Sequence, residues 1–311
     1  FDCPGCAWPE KKDAHAFNFC ENGAKAVAFE ATSKRVTPDF FATHTVSWLS
    51  VQRAFLLEDS GRLTDPLRYD SATDKYVPIS WDDAFALIAK HLQALDHPDQ
   101  AAFYTSGRAS NEAAFLYQLF VRAFGTNNFP DCSNMCHETT SVGLRDSIGL
   151  GKGTVTLEDF DIADAIFSFG HNPGTNHPRM LGTLREVSRR GGNIVAINPL
   201  KERGLERFQD PQAAVEMMTN GSTPISRYYF QPNVGGDYAL MFGMLKHLRE
   251  WDIQALAAGK KSIFDRSFIE MNTVGFDAMM EEIDRTTWSD IHAHTGLSPE
   301  HLESLAKMYL D

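Results

Sequence analysis

Three cysteines near the start of the 311-residue chain have a spacing typical of metal ligands. Cys3 and Cys6 form a C-x-x-C pair, and Cys20 follows after a gap of thirteen residues. Such a pair supplies two thiolates to one metal from a single turn, in iron–sulfur and in zinc sites alike. Three ligands are one fewer than the usual four. The spacing therefore leaves three interpretations open: an iron–sulfur centre, a zinc knuckle completed by His15 or Asp13, and structural or redox thiols.

A second pair of cysteines lies in segment 127–138, which has the sequence NNFPDCSNMCHE. Cys132 and Cys136 are four residues apart, and His137 directly follows the second of them. A thiolate beside an imidazole can act as a nucleophile with its base, or as a soft metal ligand next to a proton acceptor. Taken alone, the pair is equally compatible with a buried structural cysteine beside a surface histidine.

Short apolar runs and helically spaced apolar residues follow one another along the chain, and they indicate the scaffold that positions these cysteines. Three short runs predict strands: 101–104, 164–169 and 193–197. Apolar residues at helical spacing predict helices over 111–124 and 177–190. Strands and helices that alternate with short connections imply a parallel sheet covered on both faces. Ligands bind such sheets at the carboxyl ends of the strands. Three loops rich in Gly, Asn, Arg and His are expected there: 105–111, 170–177 and 198–204.

Loop 170–177 is a candidate anion site. Its turn glycines, Gly170 and Gly174, expose backbone N–H groups at the start of a helix. A turn in which Asn and Gly serve backbone geometry alone explains it equally well. The pattern G-x-G-x-x-G follows none of the predicted strands, which argues against an ordinary nicotinamide enzyme.

The flanks of this region set the predicted domains. Residues 1–66 are irregular and contain repeated Pro and Gly, whereas Ser80 is a good N-cap for a helix starting at Trp81. Later helices are expected over 237–251 and 298–310. We predict an α/β protein with a small loop-rich region at 1–66, followed by a doubly wound, parallel-sheet domain at 67–311.

Composition excludes several functional classes. The formal net charge of −12 argues against nucleic acid or an anionic membrane as the main partner. No apolar stretch approaches the length of a membrane-spanning helix. The clustered, odd-numbered cysteines suit metal chemistry in a reducing compartment, so a cytoplasmic location is expected.

Six motifs in order give the chain a family resemblance: CPGC, TSGRASNEAAFLYQ, NNFPDCSNMCHETTSVGL, FGHNPGTNHPRML, INPLKERGLERF and GGDYAL. The chain resembles the molybdopterin oxidoreductase family, in the FdhF/YdeP type, which is similar to formate dehydrogenase alpha chains. The resemblance covers essentially the whole chain. Members are several hundred residues longer, so it implies an N-terminal fragment that is inactive by itself.

The resemblance implies a molybdenum or tungsten atom held by two molybdopterin guanine dinucleotides. It makes Cys136 the metal ligand and His137 the neighbouring proton acceptor. The implied chemistry is two-electron oxidation or reduction of a small substrate: formate, nitrate or another small oxyanion. Electrons would pass through an iron–sulfur cluster, of the 4Fe-4S type, to a redox partner protein. The cluster ligands would be Cys3, Cys6 and Cys20.

The resemblance also assigns a set of cofactor-binding residues, which are Lys25, Arg108, Asn134, Gly170, Asn172, Asn176, His177, Asn198, Pro199, Leu200 and Asp237. Two departures from the family pattern stand out. Relatives often have Asp-Pro-Arg where this chain has Asn-Pro-Leu, and the C-x3-C element of the cluster motif is missing. These departures keep two alternatives open: a cofactor-free binding or regulatory module on the same scaffold, and a zinc-binding structural protein.

Overall fold

The computed structural model describes residues 8–9, 20–105 and 109–310, which divide into two compact units. The first unit spans Glu21–Val155, and the second holds residues 8–9, Cys20 and 156–310. The predicted boundary after residue 66 lies inside the first unit, and the division into 1–66 and 67–311 stays a prediction. Most of the predicted iron–sulfur region, including Cys3 and Cys6, lies outside the described residues.

The first unit is built of short elements and four longer helices. In chain order they are α1 (Glu21–Glu30), β1 (Arg35–Val36), α2 (Pro38–Thr43), α3 (Val46–Ser50), α4 (Ala54–Asp59), β2 (Arg62–Leu63), β3 (Leu67–Asp70), β4 (Lys75–Pro78), α5 (Trp81–Gln93), α6 (Asn111–Phe124), α7 (Cys132–Cys136) and α8 (Glu138–Ile148). Strands β1 and β2 pair in parallel, and β3 and β4 form an antiparallel pair.

Helix boundaries in this unit follow local capping chemistry. The Ser80 side chain accepts a hydrogen bond from the Asp83 N–H at the start of α5, and Ser110 does the same for α6. Helix α6 ends at Gly125, whose φ of 105° is the left-handed conformation that glycine adopts without strain. The predicted helix over 111–124 is confirmed.

The strand predicted over 101–104 is wrong. The segment lies outside any strand. Its Phe103 N–H donates to the Asn128 carbonyl, its Ala101 carbonyl accepts the Asn128 side-chain amide, and Thr105 just after it forms an isolated parallel bridge with Asp131. Its apolar character has another cause. Phe103 is buried, and its ring packs edge-on against three aromatic rings of α6: Tyr117, Phe120 and Phe124.

The second unit contains a parallel sheet and a helical bundle. In chain order its elements are α9 (Asp159–Ile162), β5 (Ala165–Phe169), α10 (Pro173–Asn176), α11 (Met180–Arg189), β6 (Asn193–Ile197), α12 (Arg203–Glu206), β7 (Arg207–Phe208), α13 (Ala214–Thr219), β8 (Thr223–Pro224), β9 (Tyr228–Phe230), α14 (Asp237–Ala257), α15 (Arg266–Asn272), α16 (Phe276–Arg285), α17 (Trp288–Thr295) and α18 (Pro299–Leu310). The strand order β5-β6-β9 is parallel throughout, and β7 and β8 form a separate antiparallel pair.

The central strand β6 explains why this sheet is covered on both faces. Its residues 194–197 are all fully buried, and alternate side chains point to opposite faces of a strand. Val195 and Ile197 belong to the core formed with α14, α17 and α18, whereas Ile194 and Ala196 belong to the core formed with α11 and α12. The predicted α/β class with a parallel sheet is confirmed.

Two details of the second unit differ from expectation. The helix predicted over 177–190 begins three residues later, as α11 at Met180, because Pro178 disfavours a helical conformation at His177; the separate short helix α10 precedes it. The helix predicted over 237–251 continues to Ala257. Across the described ranges, no helix has an apolar stretch long enough to cross a bilayer.

Candidate functional site

Helix α7 of the first unit carries the predicted metal ligand at its last residue. The Asp131 carboxylate caps this helix by accepting the Asn134 N–H at 3.0 Å and the Ser133 hydroxyl at 2.7 Å. The Asn134 side-chain carbonyl accepts the Asp131 N–H at 3.1 Å in return, which completes a capping box. This reciprocal cap fixes the first turn of a five-residue helix and so sets the position of Cys136.

Cys136 and His137 are both exposed at the junction between α7 and α8. Bonds from the Asn134 N–H and the Ser133 hydroxyl lower the pKa of Asp131, and the neighbouring His137 lowers it further. The cap is therefore a carboxylate at neutral pH. The arrangement leaves a thiol and an imidazole side by side and open to a ligand, whereas Cys132 is half-buried.

In the second unit, polar loops follow the carboxyl ends of β5 and β6. Asn172 accepts the Thr175 N–H at 3.2 Å, which caps α10, and its amide donates to the Glu202 carboxylate at 2.8 Å. Asn198 is buried, and its amide donates to the His171 carbonyl at 3.3 Å. These two side-chain bonds hold loops 170–177 and 198–203 together.

The loop after β6 is also anchored to β9. The Tyr229 hydroxyl accepts the Glu202 N–H at 2.9 Å and donates to the Leu200 carbonyl at 2.7 Å. Burial raises the pKa of Tyr229, and the Glu202 carboxylate adds to the rise although the Glu202 N–H opposes it. The Pro199 carbonyl accepts the side-chain amide of Gln231 at 3.0 Å. Both ends of the loop are therefore fixed before any ligand binds.

Glycines keep space open along this edge of the sheet. Gly170 and Gly235 have φ of 60° and 83°, and a Cβ added at either would meet nothing within 4 Å. Gly174 and Gly204 instead allow close approach, because a Cβ on Gly204 would lie 3.0 Å from the Gly174 Cα. Asp237 is exposed in the first turn of α14, after the loop that follows β9.

The predicted site residues are thus partly brought together. The structure gathers one group at the carboxyl edge of the β5-β6-β9 sheet, consisting of Gly170, Asn172, Asn176, His177, Asn198, Pro199 and Leu200. Asn134 lies with Cys136 in the first unit, and Lys25 is exposed on α1. Arg108 lies outside the described residues, and Cys20 is half-buried just before α1.

The part of the chain that the structure describes holds no clustered set of metal ligands. Within residues 8–9, 20–105 and 109–310, no group of three or more His, Cys, Asp or Glu side chains is arranged to hold a metal ion. This finding does not address the predicted iron–sulfur ligands Cys3, Cys6 and Cys20, because Cys3 and Cys6 lie outside the described residues.

Sequence reasoning missed three residues of the edge: His171, Glu202 and Tyr229. His171 and Glu202 lie within the predicted ligand loops 170–177 and 198–204. Their hydrogen-bond partners, however, are six and thirty positions away along the chain. The local signal for the histidine pair is one His six residues before another across the Pro173-Gly174 turn. Nothing in the local pattern indicated Glu202 or Tyr229, because only the sheet order brings their loops together.

These features define an α/β protein with a polar, glycine-rich edge on a parallel sheet and an exposed Cys-His pair at the end of a capped helix. The model of the Molybdopterin oxidoreductase family matches residues 62–226, which is more than half of the chain. The chain belongs to the molybdopterin oxidoreductase family.

Curated relatives agree with this assignment. The chain is 54% identical to the protein YdeP of Escherichia coli K12 over 99% of this chain and 41% of that protein. It is 48% identical to an uncharacterized oxidoreductase of Mycobacterium tuberculosis H37Rv over 100% of this chain and 39% of the other. Formate dehydrogenase H of Escherichia coli K12 is 27% identical, over 80% and 32% of the two chains.

Coverage limits what these relatives share with the chain. The chain spans about two fifths of the length of the first two relatives. Among solved structures, acetylene hydratase from Pelobacter acetylenicus superposes with a TM-score of 0.46 and 18% identity, covering 78% of this chain and 29% of that one.

Proposed function

We propose that the protein is a molybdopterin-dependent oxidoreductase of the formate dehydrogenase type, which oxidises or reduces a small substrate by two electrons. The observation that carries the proposal is the exposed thiol of Cys136 directly followed by the exposed imidazole of His137, inside the segment that matches the family model. Formate is the first candidate substrate, because formate dehydrogenases are among the relatives.

The residues present fit the proposed cofactor. A thiolate is a soft ligand that suits a transition metal, and Cys136 presents its sulfur to solvent at the end of a fixed helix. The open space beside Gly170 and Gly235 admits a ligand close to the backbone. The bound molybdenum or tungsten centre, held by two molybdopterin guanine dinucleotides, supplies the redox chemistry.

The chain's own residues orient the site and move a proton. The capping box of Asp131 and Asn134 holds the Cys136 sulfur in place for coordination. The His137 imidazole takes the substrate proton, because a ring nitrogen of an exposed imidazole can act as a general base beside the metal ligand. In the second unit, Asn172 and Asn198 offer fixed amides to the dinucleotide part of the cofactor, with Asp237 as a further contact.

An iron–sulfur relay completes the proposal. Cys3, Cys6 and Cys20 would supply thiolates to a 4Fe-4S cluster, and Lys25 would be the residue that links this cluster to the pterin. A redox partner protein accepts the electrons. The support for this part is the cysteine spacing, so it is tested by iron content separately from the molybdenum site.

The test uses the full product of the gene, made anaerobically in a host that synthesises the pterin cofactor. X-ray absorption at the metal edge counts sulfur ligands in the wild type, Cys136→Ser and Cys132→Ser. We expect Cys136→Ser to lose one sulfur ligand and formate-dependent viologen reduction, whereas Cys132→Ser keeps both. His137→Asn should slow turnover by about a hundredfold or more without changing the sulfur count.

The matched thiol on the same helix makes this test decisive. An unchanged sulfur count in Cys136→Ser removes Cys136 from the metal site. Equal losses in both cysteine variants indicate a folding defect of α7 instead of a ligand, and likewise contradict the assignment. Nitrate replaces formate in the turnover assay if formate is inert.

A further inference from the structure

Two histidine rings of the second unit form an imidazole pair at the carboxyl end of β5. The Nε2 atom of His171 lies 2.8 Å from the Nδ1 atom of His177, and the ring centroids are 4.9 Å apart. Both side chains are half-buried. The pair bridges the two ends of the short helix α10, whose cap Asn172 is bonded to Glu202.

The distance fixes how many hydrogens lie between the two rings. Only one hydrogen fits between two ring nitrogens 2.8 Å apart, so one nitrogen donates and the other accepts. In the neutral pair, one of the two outer nitrogens (Nδ1 of His171 and Nε2 of His177) is a donor and the other an acceptor. After one proton is added, both outer nitrogens are donors and the pair carries a single positive charge.

Nothing in the described structure supplies a counter-charge to this pair. No ion pair to His171 or His177 occurs among the described residues, nor does any hydrogen bond from their outer nitrogens. Burial lowers the pKa of His171, and the neighbouring His177 lowers it further. Protonation of His171 is therefore disfavoured in this setting, and the described residues supply no partner for the charged form of the pair.

The charged groups around the pair have other partners or face solvent. They lie on the elements packed against α10 and are Glu202, Arg203 and Glu206 at α12, and Arg179 at the start of α11. Glu202 accepts the Asn172 amide, and Arg179 donates to the Trp8 carbonyl at 3.4 Å. Arg203 and Glu206 are exposed. The Tyr229 hydroxyl is bonded to the loop after β6.

We infer that the His171–His177 pair is a proton-coupled anion site, which binds the pyrophosphate of the dinucleotide by taking up one proton from solvent for each anion bound. No covalent bond changes: a neutral pair, a proton and an anion become a charged pair bearing two N–H···O contacts. The inference rests on the proposed function for the identity of the anion. It makes cofactor binding weaken as the pH rises.

Isothermal titration of the full gene product, purified without cofactor, measures this coupling. The probe is diguanosine diphosphate, whose pyrophosphate diester does not titrate near neutral pH. Titrations at pH 7.5 in two buffers of different ionisation enthalpy give the number of protons taken up. We expect about one proton per probe at pH 7.5 in the wild type and fewer at pH 5.5, where more of the free pair is already charged. Above neutrality, Kd should rise by up to about tenfold per pH unit.

Two variants separate the pair from other histidines. The double variant His171→Asn, His177→Asn should bind the probe with no proton uptake and a Kd independent of pH, whereas His91→Asn, at an exposed position on α5, should match the wild type. Circular dichroism and thermal melts confirm that each variant is folded.

Each result decides a separate point. Binding without proton uptake in the wild type, or uptake that persists in the double variant, overturns the coupling and leaves the proposed function intact. Failure of the probe to bind at either pH also overturns it. The proposed function itself fails only if the protein made with the pterin pathway present contains no pterin.

Discussion

The close approach of Gly174 and Gly204 gives the sharpest prediction about how the cofactor edge is held. These glycines join α10 to α12, and the ideal Cβ of an alanine at 204 would lie 3.0 Å from the Gly174 Cα and 3.1 Å from its nitrogen. Both contacts are to backbone, which cannot rotate away as a side chain can. In Gly204→Ala, α10 must therefore shift by a few tenths of an ångström.

The expected change in the free energy of unfolding is the sum of two opposing contributions. Overpacking of this kind costs about 1–3 kcal/mol, and replacing a helical glycine by alanine returns about 0.5–1 kcal/mol. Gly182 provides the matched control, because it is also helical and its Cβ would meet nothing within 4 Å. Gly182→Ala should gain only the stabilisation that comes from replacing a helical glycine by alanine. The two variants should therefore differ in stability by about 1–3 kcal/mol.

Both variants are made in the full gene product and compared by thermal melting, by hydrogen exchange of residues 172–206, and by pterin content. We expect Gly204→Ala to melt below the wild type or close to it, with faster exchange in α10 and less bound pterin. Gly182→Ala should melt at or above the wild type and keep its pterin. Identical behaviour of the two variants would refute the argument that the glycine pair sets the spacing of the loops.

Three further predictions concern the core and the caps. Leu184→Ala, at a fully buried position of α11, should lower the free energy of unfolding of the second unit by about 2–5 kcal/mol, whereas the exposed Met218→Ala should change it by under about 0.5 kcal/mol, as measured by denaturant titration. Burial raises the pKa of Asp252, but bonds from Ser262, the Ile263 N–H and Arg266 outweigh it and leave that pKa below its usual value. Asp252→Asn should therefore lower the free energy of unfolding by about 3 kcal/mol above about pH 4. The difference from the wild type should shrink as the pH falls below that and the native carboxylate protonates. A difference that stays constant down to about pH 2 would contradict this. Asp131→Ala should speed amide exchange in α7 about fivefold, equivalent to about 1 kcal/mol, whereas Asp131→Asn should keep the cap.

The elements that the sequence predicts best are those with local signals at both ends. Helix α6 has a serine cap at 110 and a glycine stop at 125, and its predicted bounds match the structure. Strands β5 and β6 are short apolar runs between a helix stop and a turn, and both were located within a residue. In each case the determining interactions lie within a few positions along the chain.

Features that depend on distant partners were not predictable in this way. The run at 101–104 has the composition of a strand, but its buried Phe103 packs on the aromatic rings of α6. The contact between Asn172 and Glu202 joins residues thirty positions apart, and only the order of β5 and β6 in the sheet makes it possible. The six positions between His171 and His177 gave no measure of their 2.8 Å contact.

The most direct test of the central proposal is the metal and pterin content of the full gene product, purified anaerobically from a host that makes the pterin cofactor. We predict about one molybdenum or tungsten atom per chain, together with guanine-dinucleotide pterin and about four iron atoms. Molybdenum without iron would remove the relay assigned to the N-terminal cysteines. A folded protein that contains zinc alone, or no metal and no pterin, would contradict the account.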